Sequence, residues 1–185
     1  MTVLSICIPN FNRLDCLENC LESILISSKN IKELKFEVCI SDNNSDQDPI
    51  DIIDKYNKKF KIIYSRNKKN LGFALNAIKT LKISTGKYAW LIGNDDLILP
   101  NTLSDLEDIF NNNNDTDYFF INSYYLNSKY LNNFSHPFNT AELKNINMTE
   151  LSKSKKNQSV RFWDIIDPQV SWEFLIGIFL SIFNR

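Results

Sequence analysis

Two adjacent carboxylates, Asp95 and Asp96, follow the short apolar run Tyr88 to Ile92 through Gly93-Asn94. Neighbouring anions repel unless a shared cation or hydrogen-bond donors offset the charge. Hard oxygen ligands of this kind suit Mg²⁺ or Mn²⁺, ions typically held by one or two carboxylates together with substrate phosphates. The pair reads equally as a solvated turn in which Asp96 or Asn101 caps the next helix. Two more polar clusters follow apolar runs. Asn10-Phe11-Asn12-Arg13 comes after Val3 to Pro9, and Asp42-Asn43-Asn44-Ser45 comes after Phe36 to Ser41. Asp42 suits a base or a ribose, or a plain Asx-turn. Asn10 and Asn12 fit a ligand or a turn and cap, and Phe11 fits a base-stacking ring or the core.

Such clusters need elements to hold them. Apolar strand-like runs alternate with helical patterns, the signature of α/β architecture. The runs are Val3 to Pro9, Phe36 to Ser41, Lys61 to Ser65, Tyr88 to Ile92 and Asp117 to Ser123. Asn12 suits an N-cap for a helix to about Ser27, with Leu14, Leu17, Leu21 and Leu25 on one face. Asp48-Pro49 opens a second helix, with Pro at its first position. A third runs from Phe73 to Ile83 with Ala74, Ala77, Ile78 and Leu81 inward and Gly86 as its C′ residue. A fourth follows Pro100-Asn101, with Leu103, Leu106, Ile109 and Phe110 inward, and the Asn111 to Asn114 run ends it. In open α/β sheets ligands bind beyond the carboxyl ends of the strands. A parallel sheet therefore brings all three polar clusters to one edge.

Composition bounds the function. Lys+Arg 21 against Asp+Glu 22 gives a net charge of −1, without the basic excess that nucleic-acid binding requires. The 4 Cys form no CxxC and there is 1 His, so neither a zinc site nor a disulfide framework is expected. Cys7 and Cys39 read as small core residues. The first residues lack a basic n-region and a long apolar stretch, so no signal peptide is expected and residence defaults to the cytoplasm. The apolar run Val170 to Phe183 is short for a membrane span. It suits a buried strand or helix and leaves open peripheral contact with a membrane or cover by a second copy of the chain. Residues 127–159 are polar and aperiodic, and read as a long flexible connection.

Taken together, the motifs resemble glycosyltransferase family 2, the large GT-A-fold group. Ser5 to Arg13 is similar to its opening strand and P-x-Y/F-N-R turn. Ile40 to Asp46 is similar to its V-D-D/N-x-S-x-D turn. Asn70-Leu71-Gly72 through Ala74 to Asn76 is similar to N-x-G-x-x-x-A-x-N, and Gly86 through Asp95-Asp96 to Pro100 to G-x-Y-…-D-x-D-D-…-P. The Gly-Asn-Asp-Asp form is most similar to the bacterial branch that builds O-antigen and other surface polysaccharides, abequosyltransferase-like enzymes included.

The resemblance implies a GT-A, Rossmann-like three-layer α/β/α sandwich with a mainly parallel central sheet. Residues 1–126 would form the nucleotide-sugar-binding core, and 127–185 a partial acceptor-side region. The binding residues it implies are Pro9, Asn10, Phe11, Asn12, Asp42, Asn43, Asn70, Gly72, Asn76, Asn94 and Asp95. Base and ribose would lie by Asn10 and Asp42-Asn43, with Asn70 and Asn76 nearer the phosphates. Asp96 with Asp95 would correspond to the DxD-type motif that binds Mn²⁺ or Mg²⁺, although Gly93-Asn94 replaces its first carboxylate. The reaction implied is inverting transfer from a nucleotide-diphosphate sugar to a glycan or lipid-linked saccharide, at the inner face of the membrane. In relatives the general base lies downstream of the DxD motif, so here it is expected beyond residue 185. Asp164, Asp167 and Glu173 are weaker candidates. The alternative is a truncated donor-binding fragment without turnover.

Overall fold

The computed structural model describes residues 2–113, 115–145, 148–151 and 181–184. Asp164, Asp167, Glu173 and most of the Val170 to Phe183 run lie outside the described residues.

The central sheet is built from β1 (Leu4–Asn10), β2 (Phe36–Asp42), β3 (Ile62–Arg66), β4 (Tyr88–Leu91), β5 (Tyr118–Phe120) and β8 (Ser181–Asn184). Its order is β3-β2-β1-β4-β8-β5. β1, β2, β3 and β4 run parallel, and β8 inserts antiparallel between β4 and β5. A smaller ribbon pairs β6 (Tyr124–Tyr125) with β7 (Thr149–Glu150).

Strand side chains alternate between two covered faces, which is why these runs are apolar throughout. Leu4, Ile6, Ile8, Val38 and Ile40 pack with Leu17, Leu21 and Ile24 of α1 (Leu14–Ser28) and with Ile53 and Tyr56 of α2 (Ile50–Asn57). Leu103, Leu106 and Phe110 of α4 (Thr102–Asn112) join the same core. On the opposite face Cys7, Cys39, Ala89 and Leu91 meet Ala77 of α3 (Phe73–Ile83). This is the expected three-layer α/β/α sandwich with a mainly parallel sheet. All 4 cysteines are free.

Several local expectations are corrected. Asn12 does not cap α1: Asn12 and Arg13 both have positive φ, 54 and 56°, and the helix begins at Leu14 without a side-chain cap. The Asn12 Oδ1 instead accepts the Asp46 N–H at 2.9 Å. Pro49 precedes α2 by one residue, and Asp48 Oδ1 accepts the Ile50 N–H. α3 is rotated from its expected face. Ala74 and Ile78 are exposed while Asn76, Ala77 and Thr80 are buried. Gly86 is not its C′ residue; the helix ends at an extended Ser84, and Gly86 lies against β1, donating its N–H to Ser5 Oγ at 2.8 Å. α4 continues through Asn112, and the expected strand over Asp117 to Ser123 is confined to Tyr118–Phe120.

The polar stretch after Leu126 carries two 3₁₀ helices, Ser128–Asn133 and Thr140–Asn145. Between them Phe138 is buried against Phe134, and its N–H donates to Asn19 Oδ1 of α1 at 2.7 Å. His136 Nε2 pairs with Glu18 at 2.7 Å.

Beneath the sheet, away from its carboxyl edge, Glu37 of β2 is fully buried. It accepts from Ser5 Oγ at 2.8 Å, the Thr85 N–H at 2.7 Å and Lys61 Nζ at 2.6 Å. Burial alone would raise its pKa, but the donors from Lys61, Ser5 and Thr85 outweigh burial and bring it from 4.5 down to about 2. A depressed folded-state value stabilises the fold above the unfolded pKa, and that contribution is lost as pH falls toward 2. Glu37→Gln should cost about 2–3 kcal/mol in urea denaturation near neutral pH. The gap from the native chain should close between about pH 4.5 and about pH 2.

Candidate functional site

The carboxyl ends of β1, β2 and β4 converge on a cleft of about 460 Å³. β1 supplies Pro9 and Asn10, followed by Phe11 and Arg13. Asn43 follows β2, directly beyond the Asn10–Asp42 register pair. The β3–α3 connection adds Asn70 and Gly72, the first turn of α3 adds Phe73 and Asn76, and the turn after β4 adds Gly93, Asn94 and Asp95.

Nine of the expected site residues therefore share one cavity: Pro9, Asn10, Phe11, Asn43, Asn70, Gly72, Asn76, Asn94 and Asp95. Asn12, Asp42 and Asp96 are not in its wall. Asn12 turns to Asp46, as described above. Asp42 is fully buried underneath, where Oδ1 accepts from Asn10 Nδ2 at 2.8 Å and Ser45 Oγ at 2.5 Å. Its Oδ2 accepts the Ser45 N–H at 3.1 Å, and Arg66 Nε lies 3.7 Å away. Asp96 folds back so that Oδ2 accepts the Gly93 N–H at 2.6 Å.

Arg13, Phe73 and Gly93 line the cleft but were not among the expected site residues. Arg13 and Gly93 lie inside the motifs quoted above. Phe73 falls at an unspecified position of the Asn70 to Asn76 motif, where the sequence pattern makes it the first residue of α3. At Gly93 the approach is close: a Cβ there would sit 2.7 Å from Asp95 Oδ1 and 3.1 Å from Asp96 Oδ2, so the two carboxylates would have to shift from their present positions. Gly72 is required by conformation, with φ 78° at the start of α3.

The cleft is electrically polarised. At one end Arg13 Nη1 meets Asp95 Oδ2 at 2.7 Å, with the side chains 61% and 54% exposed. A pair this exposed contributes at most about 1 kcal/mol and exchanges readily for another partner. The Asp96 carboxyl is raised above its ordinary value, first by lost hydration and then by the Asp95 charge, against the opposing Gly93 N–H. The other end is neutral, walled by the amides of Asn43, Asn70 and Asn76 and by the rings of Phe11 and Phe73.

Among the described residues no group of three or more His, Cys, Asp or Glu could hold a metal ion. Asp95 and Asp96 are two hard carboxylates. A divalent cation held by them would complete its shell with ligand oxygens, which is how Mg²⁺ commonly sits on a phosphorylated substrate. The residues present fit such an ion.

The family profile described as Glycosyl transferase family 2 matches residues 5–166. The chain is 38% identical over 107 residues to the abequosyltransferase RfbV of Salmonella typhimurium, covering 57% of this chain and 32% of that protein. S. aureus TarS 1–349 is similar in fold, with a TM-score of 0.59 at 23% identity over 65% of this chain and 35% of that one. A mannosyltransferase of Pyrobaculum calidifontis, solved with GDP-Man and Mn²⁺, has a TM-score of 0.51 at 17% identity over 58% of this chain and 32% of that one. The chain thus spans about a third of the length of these relatives. The profile match, the GT-A fold and the polar cleft at the carboxyl edge agree: the chain belongs to glycosyl transferase family 2.

Proposed function

We propose that the chain binds a nucleotide-diphosphate sugar and serves inverting transfer of the sugar to a glycan or lipid-linked saccharide in surface polysaccharide synthesis. The observation that carries this is Asp95, placed with Gly93 and Asn94 on the same cavity wall as Asn10 and Asn43. The base and ribose lie by Asn10 and Asn43, with Asn70 and Asn76 nearer the diphosphate, whose oxygens reach toward Asp95. The similarity to an abequosyltransferase supports the surface-polysaccharide setting, and TarS was solved with UDP and with UDP-GlcNAc.

A bound Mn²⁺ or Mg²⁺, held by Asp95 with Asp96 beside it, would supply Lewis-acid neutralisation of the leaving diphosphate. Arg13 offers its guanidinium to the same phosphate oxygens once it leaves Asp95, and bidentate contact suits that group. Phe11 and Phe73 border the cleft and exclude water from one flank of the ligand. Residues 1–126 act as the donor-binding core and 127–185 as acceptor-side structure. A lipid-linked acceptor would set this work on the cytoplasmic side, at the inner face of the membrane. Among the described residues no helix is long and apolar enough to cross it.

The acceptor hydroxyl needs a base within hydrogen-bond reach. Among the described residues Asp95 is the one carboxylate in the cavity wall, so the base is to be sought elsewhere. That observation also favours a second reading, a donor-binding unit without transferase turnover. Calorimetry with UDP-, GDP-, dTDP- and CDP-sugars in the presence of Mn²⁺ should show binding of at least one. Binding of none contradicts both readings. Product formed on a lipid-linked glycan separates the first from the second.

A further inference from the structure

The net charge of −1 conceals a segregation of charge along the chain. Residues 55–94 include nine Lys and one Arg and no Asp or Glu. The fold pairs some of these cations: Lys55 with Glu18, Lys61 with Glu37, and Arg66 with Asp42 and Asp48. Lys68 and Lys69 precede α3, and Lys79 and Lys82 lie within it. Among the described residues none of these four meets a carboxylate. Lys79 donates instead to the Asn67 amide oxygen. Across the sheet, α1 and α4 carry Asp15, Glu18, Glu22, Asp105, Glu107 and Asp108 and no Lys or Arg. The α3 side of the sandwich is thus basic, and the α1–α4 side acidic.

The same helix turns apolar side chains outward. Asn76, Ala77 and Thr80 are buried against the sheet. The helical period then places Ala74, Leu75, Ile78 and Lys82 on the far side. Leu75 is 57% exposed and Ile78 48%. Phe73, 56% exposed, starts the helix and also lines the cleft. Neighbouring large apolar groups left in water mark a contact surface. This one has cations toward both ends of the helix and runs on to the mouth of the cleft.

We propose that the outer face of α3 docks on a bilayer surface that contains anionic lipids. Leu75 and Ile78 enter the boundary between headgroups and acyl chains, and the lysines meet lipid phosphates. A lipid surface suits both parts of the face, because Lys stems lie along apolar surface while their ammonium groups stay among the headgroups. Nucleic acid would satisfy the cations but give Leu75 and Ile78 nothing apolar to meet. A second copy related by a two-fold axis would set these lysines against the same lysines. The acidic α1–α4 side is repelled by an anionic bilayer, so the charge of the whole molecule turns α3 toward it. The docking surface is distinct from the donor site and does not depend on it. On the reading of the cleft as that site, Phe73 joins the two, and docking brings the cleft mouth to the plane where a lipid-linked acceptor arrives.

Co-sedimentation of the whole chain with vesicles of phosphatidylcholine and phosphatidylglycerol, against phosphatidylcholine alone, tests the proposal. No nucleotide is present, so failure here leaves the donor site standing. The native chain should bind the anionic vesicles at least about tenfold tighter than the neutral ones and lose that preference in high salt. Neutralising one lysine should cost about fivefold, so Lys68→Gln with Lys82→Gln should bind about 25-fold more weakly. Leu75→Ser with Ile78→Ser should also lose about tenfold or more. Lys58→Gln with Lys59→Gln removes the same charge at the end of α2 and should bind like the native chain. Thermal melts check that each variant is folded. Equal binding to the two kinds of vesicle, an equal loss in the α2 variant, or no loss in the Leu75 and Ile78 variant overturns the proposal. Sedimentation velocity without lipid should show a monomer. A dimer that Leu75→Ser with Ile78→Ser dissociates would assign the face to a second copy and overturn the membrane assignment.

Discussion

Asp95→Ala is expected to weaken Mn²⁺-dependent binding of the preferred nucleotide sugar by about 100-fold, a loss of roughly 2.7 kcal/mol. Asp95 is the carboxylate in the cavity wall, and its present partner, Arg13, is exposed and easily released. Removing it takes away the cation's anchor next to Gly93. The fold should hardly notice, since an exposed pair contributes at most about 1 kcal/mol. The thermal midpoint of the variant should therefore stay within a few degrees of the native chain. Two titrations, with Mn²⁺ and with chelator, separate the effects. The variant should resemble the native chain in chelator and differ in Mn²⁺. Equal affinity of both proteins in Mn²⁺ would remove Asp95 from the metal site.

Asp42→Ala should behave in the opposite way, destabilising the fold by about 3–5 kcal/mol. The side chain is fully buried and ties three segments together. Its loss strands Asn10 Nδ2, the Ser45 N–H and Ser45 Oγ, and leaves Arg66 with Asp48 as its one carboxylate partner among the described residues. Ser45 Oγ also accepts the Asn12 N–H at 2.7 Å, supporting the positive-φ turn at Asn12 and Arg13. Urea denaturation followed by circular dichroism measures the loss directly. A cost below about 1 kcal/mol would mean that water replaces these bonds, and that Asp42 is free for a ligand after all.

The two acids show what residue type and spacing can convey. The apolar strand runs and the polar clusters after them were legible, because strand period and turn chemistry are local properties. They placed Asn10, Asn43, Asn94 and Asp95 at one edge. Whether a polar side chain at that edge faces a ligand or the protein depends on partners far away in sequence. Asp42 meets Asn10, and Asn76 meets Ser41 and Asn67, across separations that no local pattern records. The same cause rotated α3. A hydrophobic stripe through Ala74 and Ile78 was the local expectation, yet the helix turns Asn76 and Thr80 inward. The four hydrogen bonds of Asn76 make its burial tolerable. The apolar run to Phe183 suited a strand or a helix; that Ser181–Asn184 is a strand, antiparallel between β4 and β5, is a matter of long-range pairing. Arg13 was visible in its motif, whereas its reach across to Asp95 was not.

The cleft gives each group a distinct task. Gly93 lets two carboxylates fold over the turn, Gly72 lets α3 start at the amide end, and the buried asparagines hold that end rigid. Rigid placement of polar groups before the ligand arrives is what lets a site act on charge that develops during reaction. Arg13 is the exception, an exposed cation on a weak partner and therefore free to be exchanged.

Anomalous scattering from Mn²⁺ in crystals grown with the preferred nucleoside diphosphate would locate both groups at once. The account predicts manganese bound to an Asp95 carboxylate oxygen, the diphosphate beside Gly93 and Asn94, and the base by Asn10 and Asn43. Manganese and diphosphate bound away from positions 93 to 96, with the cleft empty, would contradict it.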